Sequence, residues 1–220
     1  QSLVAVANGA SLRTVALITD MNEPLASAAG NGLEVRNAVD FLTGAHQDAR
    51  LRDVTLALCA EVAAMTGKAA TVDAALALVT DALDSGRAAE HFGRMVAALG
   101  GPVDFIADMD RHLAPAPIIR DVFATGQGAI VDIDTRGVGM AVVALGGGRT
   151  MPADSIDHRV GFDRLAGLGA IVDAQTPIAR LHAADEASAA DAEARLKSAY
   201  RLGDTPPSHP LIAAHIPPTE

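Results

Sequence analysis

Three glycines followed by an arginine, Gly146-Gly147-Gly148-Arg149-Thr150, form the segment whose residue types most readily suggest chemistry. Successive backbone N–H groups in such a run can wrap an anion, with the Arg149 guanidinium beside it. The run follows a helical pattern instead of preceding one, so a helix dipole presents its negative end to the loop. It also lacks the spacing and the Lys-Ser/Thr ending of a P-loop. A mobile loop or lid, with Arg149 closing onto something, is therefore the stronger reading and a phosphate cradle the weaker.

Other groups are weaker still. Asp20, Met21 and Asn22 follow a β-branched run and sit where open α/β sheets collect ligands, beyond a strand's carboxyl end. Simple turn hydrogen bonds from Asp20 and Asn22 explain the same residues. The seven histidines (His46, His91, His112, His158, His182, His209 and His215) form no HxH or HExxH pair, which argues against a zinc or metal-hydroxide site. Asp154-Ser155-Ile156-Asp157-His158 holds a Ser, an Asp and a His, but a triad is assembled in space and not by adjacency. A polar, solvated loop accounts for it. Cys59, among Leu56, Leu58 and Val62, reads as a small core residue.

These residues need elements to position them. Ser2 to Ala7 reads as the last turns of a helix closed by Asn8-Gly9, and Thr14 to Thr19 as a strand buried on both faces. Asp20 to Pro24 is a loop. Leu33, Val35, Ala38, Val39 and Leu42 keep helical spacing up to Gly44. A second helix covers Leu51–Met65. A third, capped at Thr71, carries Leu76, Val79 and Leu83. A fourth, Ala88–Leu99, carries Phe92, Met95, Val96 and Leu99 and stops at Gly100-Gly101-Pro102. Val103 to Leu113 predicts one more short helix. Ala114-Pro115-Ala116-Pro117 is a stiff linker and the expected domain boundary. Beyond it, strands are predicted at 118–123, 129–134, 160–172 and 178–182, with helices at 135–143, capped by Thr135, and 187–199. Residues 206–220 read as a loosely structured tail.

The expected class is α/β: the remainder of a large α/β domain, strand plus helical layer, over 1–117, followed by a small α+β C-terminal subdomain over 118–205. Composition narrows the functions. A net charge of −10 disfavours a nucleic-acid backbone binder, and 50% hydrophobic residues exclude a disordered acidic tail. One cysteine excludes an intrachain disulfide framework. Runs such as Met140 to Leu145 are far short of the ~20 residues that span a bilayer. With no signal peptide in view, a cytoplasmic protein making no membrane contact is expected. Aromatics are 3%, so the core rests on Ala, Val, Leu and Ile, and base stacking is disfavoured. The chain opens without Met and in mid-helix, which reads as a fragment or a processed chain.

Read together, several segments go further: Leu3 to Gly9, Arg13-Thr14 to Met21, Pro24-Leu25, Gly30-Asn31-Gly32-Leu33-Glu34-Val35, Leu51 to Thr55, Phe92 to Ala98, Asp134 to Arg149, Ile156-Asp157 with Val160-Gly161-Phe162, and Pro177 to Ala183. In content, order and spacing they resemble the C-terminal half of thymidine phosphorylase, within the pyrimidine nucleoside phosphorylases. The resemblance implies a transferase of nucleoside salvage. Such enzymes cleave thymidine or deoxyuridine with phosphate as co-substrate, giving the base and 2-deoxyribose 1-phosphate. It implies a homodimer whose domains close to bring base and phosphate together.

It also implies that the phosphate loops and the base-holding Arg, Ser and Lys lie upstream of the segment matching Gln1. No catalytic residue is thus carried over, and the chain alone is expected to be inactive without a complementary N-terminal half. Gly146, Gly147, Gly148 and Arg149 match a surface loop ordered on closure. Some relatives hold a monovalent cation on carbonyls matching Leu25 and Ala28 and a Glu matching Asn37; Asn here loses the charge, which weakens such a site. No other cofactor is implied.

Two alternatives come from other classes. A non-catalytic interaction module would use the apolar faces of Ser2–Ala7 and Thr14–Thr19 to dock with a complementary chain. Gly161 to Ala183 loosely resembles a lipoyl or biotinyl carrier hairpin, but its turn, Asp173-Ala174-Gln175-Thr176, has no Lys.

Overall fold

The computed structural model describes residues 2–206 and 208–218; Gln1, Pro207, Thr219 and Glu220 lie outside the described residues. In chain order the first elements are α1 (Ser2–Gly9), β1 (Ala16–Thr19), α2 (Asn31–Thr43), α3 (Ala49–Met65), α4 (Val72–Asp84) and α5 (Arg87–Ala98). A one-turn helix α6 (Met109–His112) leads into β2 (Ile118–Val122), β3 (Gly128–Ile133) and α7 (Thr135–Val142). The rest is β4 (Gly161–Asp163), β5 (Ile171–Val172), β6 (Ala179–Ala183), α8 (Glu186–Ala199), β7 (Tyr200–Gly203) and β8 (Ile212–Ile216). The class is α/β, with small antiparallel sheets in the C-terminal part.

The chain folds as two compact units: Gln1–Asp20 with Ala49–Ala88 and His209–Glu220, and Met21–Asp48 with Ala89–Ser208. The second unit takes in residues 21–48 from far upstream and runs through the linker at 114–117.

In the first unit, α1 ends where the Asn8 side chain clamps the turn. Its amide donates to Val4 O and Thr14 O, while its oxygen accepts from Thr14 N at 3.0 Å. β1 pairs antiparallel with β8, Ala16 opposite Ile216 and Ile18 opposite Ala214. Two expectations are thereby corrected. β1 is not buried on both faces, since Ile18 is half exposed, and the expected tail at 206–220 contains a strand. Prolines at 206, 210, 217 and 218 mask that strand, whose pairing partner lies almost 200 residues away in the chain. α3 packs against α4, which is capped as expected: Thr71 Oγ1 accepts from Ala74 N. Ala75 and Leu83 are the buried side of α4, whereas Leu76 is exposed. Cys59 is exposed on α3 and is not a core residue.

In the second unit, two three-stranded sheets, ordered β2-β6-β4 and β5-β3-β7, carry α7 and α8. Ile130, Val138, Phe162, Ile178, Leu181 and Leu196 are almost wholly buried and belong to one cluster. α8 presents Ala189, Ala192 and Leu196 to this cluster, their spacing of three and four placing them on one face. Its N-terminus is capped by Asp185, which accepts from Ser188 N at 2.8 Å.

Here too the structure departs from the sequence reading. The run 160–172 is not one strand: β4 and β5 join different sheets, with Arg164 in the left-handed region between them (φ 52°). β5 pairs with β3 and β6 with β2, so 161–183 is not a carrier hairpin. Asp134, not Thr135, caps α7, accepting from Gly137 N at 2.9 Å. Only Met109–His112 of the expected 103–113 helix forms. β7, unforeseen, begins as α8 ends and lays Tyr200 against Ile133.

Two glycines allow the second unit to close. Ala29 and Phe162 exchange backbone hydrogen bonds of 2.9 and 2.8 Å. Gly30 and Gly161 sit beside this bridge at φ 134° and 145°, where side chains rarely go. A Cβ on Gly161 would lie 2.2 Å from Ala29 O, and one on Gly30 2.5 Å from Val160 O. Gly161→Ala is expected to lower the stability read from urea unfolding by about 2 kcal/mol or more. Gly139→Ala, on exposed α7 surface with nothing near its Cβ, should be neutral or gain up to ~1 kcal/mol. Equal stability of the two variants contradicts this account.

Candidate functional site

The Gly146–Gly161 loop is built from the end of α7 outward. α7 runs into a wider turn, Val143–Gly147, and Gly146 breaks it at φ 90°. The carbonyls freed at this C-terminus then meet donors. Gly146 O accepts from Asp157 N at 2.9 Å, and Gly147 O accepts from the Asn31 side-chain amide at 2.8 Å. Carbonyls and not N–H groups are thus recruited, as the dipole argument requires, so the glycine run is no anion cradle in this conformation. Gly147 and Gly148 are glycine for packing reasons. A Cβ on either would come within 2.8 Å of Val142 or Val143.

The other half of the loop's anchor is the start of α2. Gly32 N donates to His158 O at 2.9 Å, and a Cβ on Gly32 would stand 2.6 Å from that oxygen. Glu34 reaches back to accept from Gly30 N at 3.0 Å, satisfying an orphan donor of the helix start. Leu33 is buried. The motif Gly30-Asn31-Gly32-Leu33-Glu34 therefore has a local physical role: it holds the two ends of a loop. Asn31 and Glu34 do this work without standing out as chemistry in the sequence, where only the Gly30-Asn31-Gly32 run hints at close backbone approach.

The loop tip closes on itself. Asp154 accepts from Thr150 Oγ1 at 2.6 Å, Met151 N at 2.8 Å and Thr150 N at 3.0 Å. The Thr150 hydroxyl, then the two amides, hold its carboxyl below the ordinary value. Arg149 donates from Nε to Asp154 O at 3.1 Å. Asp157, which accepts from Arg159 through both carboxylate oxygens, is likewise held low, chiefly by that guanidinium. Ser155, Asp157 and His158 thus form no triad: the acid faces Arg159.

The remaining expected positions separate. In the first unit, Asp20 meets Arg50, whose Nη2 donates to Asp20 O at 2.8 Å, with the carboxylate 3.6 Å away. In the second, Met21 is half exposed and its carbonyl accepts from Thr135 Oγ1 at 3.3 Å. Asp20 is thus engaged in a structural contact of its strand end.

Ala28 and Asn37 line one cavity of about 500 Å³ with Ser27, Asp40, His46 and others; Leu25 is not in its lining. Asn37 is half-buried, and its amide donates to Asp48 at 2.9 Å. Burial raises the Asp48 carboxyl, but hydrogen bonds from Asn37, the Ser27 amide and hydroxyl, and His46 together outweigh it and hold it low. The nearby carboxylate is thus already satisfied by N–H donors. Among the described residues no three His, Cys, Asp or Glu side chains converge as a metal site, and no helix is long and apolar enough to cross a membrane.

Two family models match the sequence. One, described as "Glycosyl transferase family, a/b domain", covers residues 1–89, and the other, described as "Pyrimidine nucleoside phosphorylase C-terminal domain", covers residues 129–203. Together they support the pyrimidine nucleoside phosphorylase family and a glycosyltransferase enzyme. The second match runs from β3 to β7 and includes the whole Gly146–Gly161 loop.

A depressed carboxyl contributes its interaction above the ordinary carboxylate pKa of ~3.9 and loses it as pH falls through the folded value. The Thr150 and Met151 amide resonances should therefore stay fixed from pH 8 to 5 and move only below about pH 4. Asp154→Ala should release the tip at neutral pH, speeding tryptic cleavage after Arg149 by about tenfold while global unfolding hardly changes. Cleavage at the unaltered rate contradicts the assignment.

Proposed function

We propose that this chain contributes the later part of a thymidine-cleaving pyrimidine nucleoside phosphorylase. In the reaction a phosphate oxygen bonds to C1′ of the deoxyribose as the N-glycosidic bond breaks. The bonding electron pair leaves with the base, which takes up a proton, yielding thymine and 2-deoxyribose 1-phosphate. The observation that carries the reading is the pair of domain matches in order, with the pinned Gly146–Gly161 loop inside the second. Both reactants must be brought together away from water, a task suited to a loop that orders on closure.

In this reading Gly148 and Arg149 stabilise the closed form of the intact enzyme, phosphate is co-substrate, and the enzyme works as a homodimer. A monovalent cation at Leu25, Ala28 and Asn37 is disfavoured, because the Asn37 amide already serves Asp48. The residues present do not make a site with the charge that such a cation needs.

A second reading, a docking module, is favoured by a specific observation. Leu3 and Val6 of α1 and Leu12 beyond it are exposed in the first unit, 84%, 71% and 66% respectively. Three large apolar side chains so exposed suit a face covered by a complementary chain. The two readings coexist if that chain supplies the phosphate-binding half.

Phosphate-dependent release of thymine from thymidine tests the proposal. The chain alone should give none above background; clear turnover overturns the claim that it needs a complementary half. In an intact enzyme that includes this chain, Arg149→Ala should lower kcat/KM about tenfold, or ~1.4 kcal/mol of transition-state stabilisation. Unchanged turnover and affinity would remove the loop from the mechanism.

A further inference from the structure

A second cavity of the second unit is lined by a histidine and an acid whose hydrogen bonding is incomplete. It measures about 380 Å³, within the ~300–1,000 Å³ usual for small-molecule sites. Its lining includes His182 of β6, 93% buried, and Asp163 of β4. His182 Nε2 and Asp163 Oδ2 are 3.2 Å apart, but without the alignment of a hydrogen bond. Among the described residues, His182 Nε2 and Asp163 Oδ1 are both buried and have no hydrogen-bond partner. Native folds rarely leave two such atoms side by side unless something else meets them.

The walls and rim say what that something is. Leu33, Leu113, Pro115 and Ile119 provide apolar sides, suited to a flat body. Two guanidiniums and two imidazoles make up most of the rest. Arg36 and Arg159 line the cavity along with His112 and His158, whereas Asp163 is its one lining acid among the described residues. Each guanidinium already holds one acid outside the cavity, Asp110 for Arg36 and Asp157 for Arg159. Arg159 engages Asp157 through Nε and Nη2, leaving the donors of Nη1 for another anion.

We propose that this cavity binds a small planar heterocycle that carries one anionic group. The anionic group meets Arg159 and Arg36 at the rim, and the ring lies between the apolar walls. An N–H of the ring donates to Asp163, beside His182. A pyrimidine ring with an imide edge and a phosphate or carboxylate has this chemistry. Arg159 sits two residues from Gly161, and His158 O holds Gly32, so a ligand here also braces the base of the Gly146–Gly161 loop. The site stands on the second unit's own residues and does not rest on the phosphorolysis reading; binding is measured without turnover, so the two can fail separately.

Titration calorimetry on the full chain uses uridine 5′-monophosphate and orotate, which separate phosphate from carboxylate, with uridine and inorganic phosphate as controls. At least one of the two anions should bind saturably with Kd below ~1 mM and shift the His182 and His158 imidazole resonances. Arg159→Ser, at an exposed side chain, should weaken that binding at least about tenfold. Asp163→Asn should weaken it too while the chain stays folded by circular dichroism. The proposal fails if neither anion saturates by about 10 mM, if uridine or inorganic phosphate binds as tightly as the favoured anion, or if Arg159→Ser binds like the unaltered chain.

Discussion

Everything in the second unit that bears on function depends on how closely two backbone segments approach at Ala29–Gly30 and Val160–Gly161. Their contact is too tight for a Cβ on either glycine. In exchange, it brings the start of α2, the return of the loop and the edge strand β4 to one place. The bridge between Ala29 and Phe162, the Gly32–His158 hydrogen bond and the Asn31–Gly147 hydrogen bond all lie within a few residues of it. Phe162, fully buried in the cluster, ties this clasp to the core. The loop is thus anchored at both ends and self-contained at its tip, a division that suits an element that orders without disturbing the sheets beneath it.

The same clasp explains why residues far apart in sequence share a surface. α2 lies more than a hundred positions before β4, yet Leu33 and Arg36 line the same cavities as Asp163. Among the described residues no three metal-ligating side chains converge in these cavities. Among the described residues their lining acids are two, Asp40 and Asp163. Their arginines supply planar guanidinium groups, which recognise planar or anionic partners. The 75-residue match to a pyrimidine nucleoside phosphorylase C-terminal domain contains β4, β6 and the loop, but α2 lies in the region of the other match.

Much of this was legible in the sequence, for local reasons. Thr71 caps α4, Gly44 ends α2 in the left-handed region and Gly100-Gly101-Pro102 closes α5, because capping chemistry depends on a few adjacent residues. The order of motifs from Gly30 to Arg149 suggested the family, and the domain matches support it. What escaped was non-local. β8 and β7 are short, and they become strands only by pairing with β1 and β3. β4, three residues long, is defined by its neighbour β6 and not by periodicity. Asp154 and Asn31 looked like ordinary loop and helix-start residues, since their roles exist only once the chain has turned back. Cys59 looked buried because its neighbours are apolar, but α3 buries Val54, Leu56 and Ala60 and turns Cys59 outward.

Native-state hydrogen exchange tests the clasp most directly. The amides of Ala29, Gly32 and Phe162 donate across it, whereas those of Thr150 and Met151 donate to Asp154 at the loop tip. The clasp amides should exchange only through global unfolding, and the tip amides faster by about a thousandfold or more, through local opening. Clasp amides exchanging as fast as the tip would mean that the loop is not anchored at α2, and the account built on that anchor would fall.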